Sequence, residues 1–545
     1  MMGNILNLKD ACMRIGTFKN AFIFLLFLCS ILTNLGAQNH LIKNDQFWET
    51  VDGKPIYSQG GGVFQFKDPK TGEQKYYWYG AYYKEAELYR NDYTQTYTKD
   101  NFVAVTCYSS TDLTNWAFED YVFEKEEALV HDENTRWMGR LGVVYVPEID
   151  KYALLVQHNA GVLIALSDSP TGNFKWDRKL DMTNRIGTPN TGDQSVFTDP
   201  DSGKSYLVYS YGRGRNKIYI SEIGLKDGKV DLLEVTEIFR GKGREGNCMF
   251  KYKGKYYVFA SNLYGWDSSY AYYLVSDDIN GPYLPTNKML ITPGSIEDYA
   301  HVTQTGFFVN VRGEKTETIM YCGDRWANFA GNGLGYNQWV PLSFQEETPY
   351  FNSLNSWMLN EKTGEWQVAA DNNYVRNPSF EADRRAIPST VKPIQEQLKG
   401  WTTKVYQGNT IVIGDKESPQ LNYFNTAEDR KYVIGEKSLN IHDNVVFQRK
   451  VYQSISSTPF VNLEEGSYTL TAKVKTNSLF KSLEMYAESA GSTQKIEINK
   501  EADTWKSIVL ENVNVKNGKV EIGFNAEGNP GASAQIDDIS LVKNL

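Results

Sequence analysis

Short apolar runs and polar turns alternate along residues 59–342, and the same unit occurs five times. In each unit an apolar strand, a turn rich in Gly, Asp, Lys or Pro, and a second strand of aromatic or β-branched residues predict a hairpin. A third apolar strand follows. The second strands are residues 76–79, 152–155, 206–209, 256–259 and 318–321, and the third strands are residues 103–106, 162–165, 218–220, 272–275 and 339–342.

Five small sheets in succession, with little helical periodicity, predict a five-bladed β-propeller. A TIM barrel is excluded because it needs a helix after each strand. The rhythm changes near Asp371, where a further strand at residues 467–472 and a closing segment at 536–541 indicate a separate antiparallel β domain. The sequence therefore predicts an all-β protein, with the propeller over residues 38–370 and a β-sandwich over residues 371–545.

The first 37 residues have the pattern of a secretory signal peptide. An apolar run at residues 21–32 precedes the small residue Ala37, and the run is too short for a comfortable membrane span. A lipid anchor on Cys29 is less favoured because Leu28 is large for the preceding position. We expect a periplasmic or extracellular product with no integral membrane span. The basic residues before the apolar run are Lys9, Arg14 and Lys19.

The amino-acid composition limits the kinds of molecule that the protein is expected to bind. Aromatic residues make up 14% of the chain, with 36 Tyr and 12 Trp, which suits either sugar stacking or β-strand packing. The net charge of −9 and the lack of a basic run argue against nucleic acid or an anionic membrane surface. Cys107, Cys248 and Cys322 lack the spacing of a zinc site or a disulfide framework, and we expect them to be buried apolar residues.

Polar residues begin the first strand of every predicted blade. In a propeller these strand starts meet at one mouth of the central channel, so five such residues indicate a shared site. Hydrolysis of a glycosidic bond needs a proton donor and a means of activating water, and two carboxyl groups in this ring can supply them. The ring positions are Gln59 (followed by three glycines), Arg140, Asp193, Glu245 and Gln304.

Glu245 immediately precedes a buried strand, where desolvation would raise its pKa and suit it to general acid catalysis. The alternative is a surface glutamate at the end of a loop. Asp193 has an alternative as a turn residue before a strand, and Gln304 as a partner for a buried backbone group.

Over about residues 45–366 the sequence resembles glycoside hydrolase family 43, in motifs at residues 110–116, 167–172 and 199–206. It is most similar to the exo-β-1,3-galactanase branch and its neighbours that act on arabinofuranosides and galactofuranosides. The residues that carry this likeness are 60–62, 76–80, 244–245, 264–266, 303–305 and 323–326.

The resemblance implies inversion of configuration, with Glu245 as general acid and Asp193 as the carboxylate that tunes its pKa and orients the sugar. Most members have an Asp base where this chain has Gln59. The galactanase branch lacks that Asp too, and Gln304 matches the glutamine that positions water there. Glu297 and Asp298 are alternative bases. A second departure is Gly139, where the galactanase branch carries a Glu, which favours a neighbouring specificity.

Further residues are candidates for contact with the sugar. Trp266 lies in a polar loop and is a candidate for stacking on a sugar face. Asp324 and Arg325 can bind hydroxyls, or form a structural ion pair instead. The complete predicted set of substrate-binding residues is Gln59, Trp78 (or a core residue), Arg140, Trp266, Asp324, Arg325 and Trp326.

The C-terminal domain resembles jelly-roll carbohydrate-binding modules, which begin with a motif like residues 377–381 and end with one like 537–541. In such modules Glu381 and Asp537 would share a structural Ca²⁺, because hard carboxylate oxygens suit that ion. Both a sugar-binding and a purely structural role remain open for this domain.

These observations predict an inverting, exo-acting hydrolase that removes arabinofuranosyl, galactofuranosyl or galactosyl units from polysaccharide side chains. No cofactor is expected for catalysis. The alternative is a non-catalytic, carbohydrate-binding propeller, suggested by the missing Asp base.

Overall fold

The structure, a computed structural model, describes residues 39–135, 137–159, 161–331, 333–382, 398–411, 421–498 and 502–545. The predicted signal peptide at residues 1–37 lies outside these ranges. Among the described residues no helix is long and apolar enough to span a membrane. Right-handed helix is confined there to α1 (Lys84–Asn91), α2 (Lys125–His131), α3 (Thr183–Ile186) and the 3₁₀ turns Pro147–Ile149 and Asp429–Lys431.

A short strand, β1 (His40–Lys43), precedes five antiparallel sheets that follow one another along the chain. Blade 1 consists of β2 (Gln59–Lys67), β3 (Gln74–Tyr83), β4 (Phe102–Ser110) and β5 (Ala117–Glu124). Blade 2 consists of β6 (Met138–Val146), β7 (Lys151–His158), β8 (Val162–Ser167) and β9 (Lys175–Leu180). Blade 3 consists of β10 (Thr191–Thr198), β11 (Ser205–Tyr211), β12 (Lys217–Lys226), β13 (Lys229–Leu232) and β14 (Thr236–Arg240).

Blade 4 consists of β15 (Glu245–Tyr252), β16 (Lys255–Ser261), β17 (Tyr272–Ser276) and β18 (Leu290–Ile291). Blade 5 consists of β19 (Gln304–Arg312), β20 (Glu317–Asp324), β21 (Asn337–Gln345) and β22 (Thr348–Phe351). The chain then returns to β1 through β23 (Ser356–Asn360), which pairs with both β1 and β24 (Glu365–Val368). The five-bladed propeller is confirmed, and every predicted second and third strand falls within an observed one.

The innermost strands β2, β6, β10, β15 and β19 form a closed ring, each packed against the next and β19 against β2. Their pairing with the second strand shifts register near the start of the strand in all five blades. A bulge of this kind adds a residue to one strand and re-aims side chains, and bulges often lie next to active sites. The same local irregularity therefore shapes one mouth of the channel five times.

The C-terminal domain is a sandwich of two five-stranded antiparallel sheets. One sheet has the order β25 (Thr402–Gln407), β28 (Phe447–Ser456), β33 (Lys519–Gly528), β30 (Phe480–Ser489) and β31 (Ser492–Glu497). The other has the order β26 (Asn422–Phe424), β27 (Lys437–His442), β34 (Ser533–Lys543), β29 (Gly466–Thr476) and β32 (Lys506–Val515). Burial alternates along β28 and β29, as expected when one face of each sheet covers a shared core.

The sandwich packs on the propeller through a small set of direct contacts. Lys399 Nζ donates to Tyr270 Oη at 2.7 Å, and Ser268 Oγ donates to the carbonyl of Ala382 at 3.2 Å. Both propeller residues belong to the loop between β16 and β17. This loop starts at the end of β16, where Ser261 pairs with Glu245. The sandwich therefore contacts a propeller loop that begins beside Glu245.

Candidate active site

Glu245 and Gln304, from neighbouring blades, are in direct contact at the mouth of the channel. Each is the first residue of its innermost strand. The Gln304 amide donates from Nε2 to Glu245 Oε1 at 2.9 Å. Its carbonyl oxygen accepts from Arg140 Nη2 at 2.5 Å, which fixes the orientation of the amide. Because Oε1 accepts this hydrogen bond, the acidic proton of Glu245 is carried by Oε2.

Arg140 binds two other predicted ring positions, Asp193 and Gln304, through a buried guanidinium. It donates to Gln304, to the carbonyl of Thr305 at 3.1 Å and to Asp324, and its Nε lies 3.3 Å from Asp193 Oδ2. The charges of Asp324, Asp193 and Glu245 outweigh the effect of burial and raise the pKa of Arg140. Four of its five N–H groups are thus directed at protein atoms. Arg140 was predicted to bind substrate, and the structure instead gives it a positioning role.

Glu245 is neutral at neutral pH. Burial, followed by the negative charge of Asp193, raises its pKa to about 8, and nearby Arg215 and Arg140 oppose that rise. Asp193 is fixed beside it, since its Oδ2 accepts from the backbone N–H of Gly246 at 2.9 Å. A protonated carboxyl group held next to an ionic network is what a general acid requires.

Arg215 also faces both carboxyl groups, and sequence reasoning did not find it. Its Nη2 lies 3.7 Å from Asp193 Oδ1 and its Nε lies 3.6 Å from Glu245 Oε2. Both distances are too long for hydrogen bonds. A signal was present in the sequence, because Arg215 lies in a glycine-rich turn between two predicted strands of blade 3.

Gln304 follows a short left-handed turn. Tyr299, Ala300, His301 and Val302 have φ angles of 49°, 54°, 59° and 58°. Such a conformation costs about 1–2 kcal/mol per residue for residues with a side chain at Cβ. Strain of this kind persists only where surrounding contacts enforce it, and it concentrates at functional sites.

The left-handed turn is held by charges. Asp298 Oδ1 accepts from the backbone N–H of His301 at 3.0 Å, and the His301 ring lies 3.2 Å from Asp45 and 3.7 Å from Asp298. Burial lowers the pKa of His301, but the two carboxylates outweigh it and raise that pKa to about 9. His301 is therefore protonated at neutral pH and bound between two anions.

The two alternative bases lie in different environments. Asp298 is buried, and its carboxylate is occupied by His301 and Ser353. Glu297 is exposed to solvent. The contacts of Asp298 argue against it as the base, and Glu297 stays an untested alternative.

Two of the three predicted tryptophans lie next to one another near the ring. Trp266 is half-buried, and its ring meets that of Trp326 edge-on at 5.2 Å between centroids. Trp326 lies against the Arg140 guanidinium at 5.5 Å. Trp137, which the sequence reasoning missed, lies 6.5 Å from Trp266. These rings form an aromatic wall beside the catalytic residues.

The predicted stacking role of Trp78 is wrong. Its side chain is 0% exposed and packs among Trp48, Trp116 and Trp339 in the core between blades. Strand β3 ends at Tyr83. Trp78 lies five residues earlier in this strand, on the face that packs against the tryptophan cluster. The core interpretation, which the sequence left open, is the correct one.

Asp324 and Arg325 do not act together. Asp324 accepts from the backbone N–H of Gly60 at 2.7 Å and pairs with Arg140, and burial raises its pKa. Arg325 turns the other way and binds Asp45 at 3.0 Å. It lines a cleft of about 160 Å³ between the two domains rather than the ring. The predicted joint binding of hydroxyls by this pair is therefore wrong.

Gln59 is likewise engaged with the protein. Its amide nitrogen donates to the carbonyl of Tyr336 at 3.0 Å and lies 3.2 Å from Asn337 Oδ1. The side chain is buried. Gln59 therefore anchors the start of blade 1 to the last blade, and its predicted role in substrate binding is not supported by this geometry.

In the sandwich, Glu381 and Asp537 are both buried, and Asp537 has its pKa raised well above the usual range by burial and by nearby Asp538. Glu381 Oε1 accepts from the backbone N–H of Lys437 at 2.6 Å. Across the described part of the chain, no group of three or more His, Cys, Asp or Glu side chains is arranged to hold a metal ion. Cys107, Cys248 and Cys322 are buried free thiols, as predicted.

Residues 85–336 match the family model of glycosyl hydrolases family 43, and this segment contains the ring positions from Arg140 to Gln304. The propeller belongs to family 43. The protein is therefore a glycoside hydrolase, and the interpretation as a non-catalytic sugar-binding propeller is set aside.

Solved structures of family 43 type share the fold. The exo-β-1,3-galactanase from Phanerochaete chrysosporium, determined with galactose, is 18% identical, with a TM-score of 0.52 over 92% of this chain and 100% of that chain. The exo-β-1,3-galactanase from Clostridium thermocellum is 18% identical, with a TM-score of 0.51 over the same shares of the two chains. No curated protein sequence matches the chain.

Proposed function

We propose that this family 43 enzyme is an inverting, exo-acting hydrolase that removes galactosyl units from polysaccharide side chains, with arabinofuranosyl and galactofuranosyl units as the neighbouring specificities. The observation that carries the proposal is the contact between a neutral Glu245 and an oriented Gln304 amide, with Asp193 beside them. The galactanases that share the fold support galactose as the first sugar to test.

In this mechanism Glu245 donates the proton on Oε2 to the glycosidic oxygen as the bond to the anomeric carbon breaks. Asp193 keeps the proton on Glu245 at neutral pH through its charge. In the free enzyme the Gln304 amide holds Glu245 through one N–H. Entry of the sugar between the two side chains would release this contact and leave the amide to orient the attacking water on the opposite face. The water oxygen bonds to the anomeric carbon on the face opposite the leaving oxygen, so the configuration inverts. The extra proton of that water passes to solvent, and Glu245 takes up a proton from solvent to restore the acid.

The pocket wall next to Arg140 differs from a galactanase pattern in a way that affects specificity. A Cβ placed on Gly139 would lie 2.8 Å from the Trp137 ring, so the ring occupies the space that a longer side chain would need. An apolar wall thus replaces a carboxylate at this position. This supports a sugar with fewer hydroxyl contacts on that side, such as a furanose.

Product analysis tests the proposal. The wild-type enzyme is incubated with β-1,3-galactan and with aryl galactopyranosides, galactofuranosides and arabinofuranosides, and ¹H NMR follows the anomer released first. We expect monosaccharide release with the inverted anomer. Retention of configuration, release of oligosaccharides only, or no release from any substrate would contradict the proposal.

We also propose that Glu381 and Asp537 hold a structural Ca²⁺. Asn425 supports this, because its Nδ2 donates to Asp537 Oδ2 at 3.4 Å and its buried Oδ1 has no hydrogen-bond partner among the described residues. Three oxygen-bearing side chains suit a hard cation. Excess Ca²⁺ should raise the Tm of the sandwich by about 2–4 °C over EDTA. Glu381→Gln should remove this difference, whereas the exposed control Glu527→Gln should keep it.

Export to the periplasm or the extracellular space is proposed from the N-terminal pattern alone. Cell fractionation followed by N-terminal sequencing of the mature chain tests it, with cleavage expected after Ala37. An uncleaved chain in the cytoplasmic fraction would contradict it.

A further inference from the structure

Two loops that border Glu245 are unusually basic. They comprise residues 211–217, which run from the last residue of β11 to the first of β12, and residues 240–244, which run from the last residue of β14 to β15. Three of seven residues in the first loop and three of five in the second are Arg or Lys, and neither loop contains Asp or Glu. The backbone N–H of Arg244 donates to the carbonyl of Arg215 at 2.8 Å, which joins the loops. Such a local concentration of cations is unexpected in a chain of net charge −9.

Four of the six cations already have partners. Lys217 and Arg240 both lie against Glu237, at 3.7 Å and 2.7 Å. Arg244 is buried with its guanidinium 4.0 Å over the Tyr272 ring. The fourth is Arg215, which faces Asp193 and Glu245. We name Arg215, together with Arg213 and Lys242, the basic rim.

Arg213 and Lys242 are exposed, and neither forms an ion pair within the described residues. Arg215 is held in place at the edge of the pocket. Its own φ is 50°, and a Cβ on Gly192 would lie 3.1 Å from its side chain, so glycine at 192 leaves room for it. The side chain is 35% exposed, and its Nε is buried without a hydrogen-bond partner. Arg215 thus presents part of its guanidinium to whatever enters the pocket.

The carboxyl groups at the pocket do not neutralise these cations. Glu245 carries a proton at neutral pH because burial and Asp193 raise its pKa to about 8. Asp193 is shared, since Arg140 Nε approaches the same carboxylate at 3.3 Å and Gly246 donates to it. Arg140 is further balanced by Asp324. Arg215 therefore faces one shared anion, and the rest of the basic rim faces none.

We propose that the basic rim binds a carboxylate carried by the substrate, so that the preferred glycan has a uronic acid at or next to the sugar that is released. A planar guanidinium fork matches a carboxylate in shape and charge. A neutral sugar would leave the exposed Arg213 and Lys242 without an anionic partner, whereas these cations would attract an anionic glycan to the loops beside Glu245. This inference rests on the proposed hydrolase function.

The test compares matched substrates on the wild type and on Arg215→Gln. The substrates are an aryl β-galactoside, the corresponding β-galacturonide, and β-1,3-galactan oligosaccharides with and without a glucuronic acid substituent. We expect the wild type to favour a carboxylate-bearing substrate by at least about tenfold in kcat/KM. Arg215→Gln should bring the ratio of acidic to neutral substrate close to one. Arg215→Gln also changes the pKa of Glu245, which affects the turnover of both substrates. The ratio of the two kcat/KM values is therefore the quantity to compare.

Two further variants separate the rim from a general charge effect. The pair Arg213→Gln and Lys242→Gln should lower the ratio by a smaller factor and remove most of its dependence on salt. Arg312→Gln is the matched control, because Arg312 ends β19 at the far end of the channel. It should leave the ratio unchanged. Equal use of acidic and neutral substrates by the wild type would overturn the proposal, as would an equal preference for a galactose 6-sulfate substrate.

Binding distinguishes a failure of this inference from a failure of the proposed function. Should the wild type cleave none of the substrates, titration of D-galacturonate and D-galactose followed by NMR still measures the rim. If galacturonate binds more tightly than galactose and Arg215→Gln removes this difference, the basic rim is supported although the hydrolase function is refuted. Equal binding of both sugars refutes the rim.

Discussion

The two ends of the central channel are built from the same five strands and differ in almost every other respect. At the strand starts, charged and amide groups from four blades interlock around Arg140. At the strand ends, the channel opens into a cavity of about 950 Å³ whose walls include Phe66, Tyr152 and Phe197. This cavity is at the end that lacks Glu245, Gln304 and Asp193. Acid catalysis requires charged side chains to lie close together at the strand starts, and closely packed side chains fill that end of the channel.

The difference arises in the backbone. Each innermost strand is bulged near its start, and it pairs regularly with its neighbour from there to the hairpin. At the regular end, Asp199 is paired with Lys251 and Tyr256 in a closed cluster. We therefore expect the bulged end to govern turnover and the regular end to govern stability.

Replacing the general acid should have the largest effect. Glu245→Gln keeps the shape and the contact with Gln304 but removes the transferable proton, so kcat should fall by about 10²–10⁴-fold. Affinity for the product sugar, measured by calorimetry, should change by less than about threefold. An active Glu245→Gln enzyme would mean that the bulged end is not the catalytic end.

Removing the neighbouring charge should come next. Asp193→Asn should lower kcat by about 100-fold at pH 7, and it should change the pH profile. The acid is active when protonated, so wild-type kcat/KM should fall as pH rises through about 8. Without the negative charge of Asp193, the pKa of Glu245 decreases and this fall should move down by about one pH unit. An unmoved profile would contradict the role of Asp193.

Loosening the left-handed turn should have a moderate effect. His301→Gln removes the cation between Asp45 and Asp298, and we expect kcat to fall about tenfold with KM within about twofold. If His301 acts through Gln304, the double variant with Gln304→Ala should be no slower than Gln304→Ala alone. Fully additive losses would contradict this. His158→Gln, at another buried histidine, is the matched control and should leave kcat unchanged.

At the regular end, activity should barely change. Asp199→Asn breaks a buried pair with Lys251 and should cost about 2–3 kcal/mol in the free energy of unfolding, with kcat within twofold. Burial opposes ionisation of Asp199, but hydrogen bonds from Tyr256 and Lys251 outweigh it and lower its pKa below 3.8. The wild-type advantage should therefore be complete above about pH 4 and shrink as pH falls below it. A large loss of kcat would break the contrast between the ends.

The blades could be predicted because each strand and turn carries its own local signal. Residues 206–209 and 256–259 are apolar runs between turn residues, and both lie within observed strands. The ring positions of Glu245 and Gln304 followed from the same logic, since they start strands that must meet at the axis. The contact between them agrees with that expectation.

The partners of each side chain could not be predicted in the same way. Arg325 and Asp324 are adjacent in sequence but face opposite sides of a strand end, and nothing in the sequence told which neighbour each would meet. Trp78 was assigned by residue type, whereas the fold of blade 1 places it in the core. Arg215 lies in a turn, and only the space left by Gly192 brings it to the pocket.

The left-handed turn before Gln304 has a consequence for the independence of the two domains. Lys399 of the sandwich lies 4.8 Å over the ring of Tyr299, the first residue of that turn. A propeller cut free at residue 370 would keep every catalytic side chain and lose this cation. Replacing the sandwich with a foreign module should therefore lower activity even on small soluble substrates. A domain that only tethers the enzyme to a polysaccharide gives no advantage on such substrates.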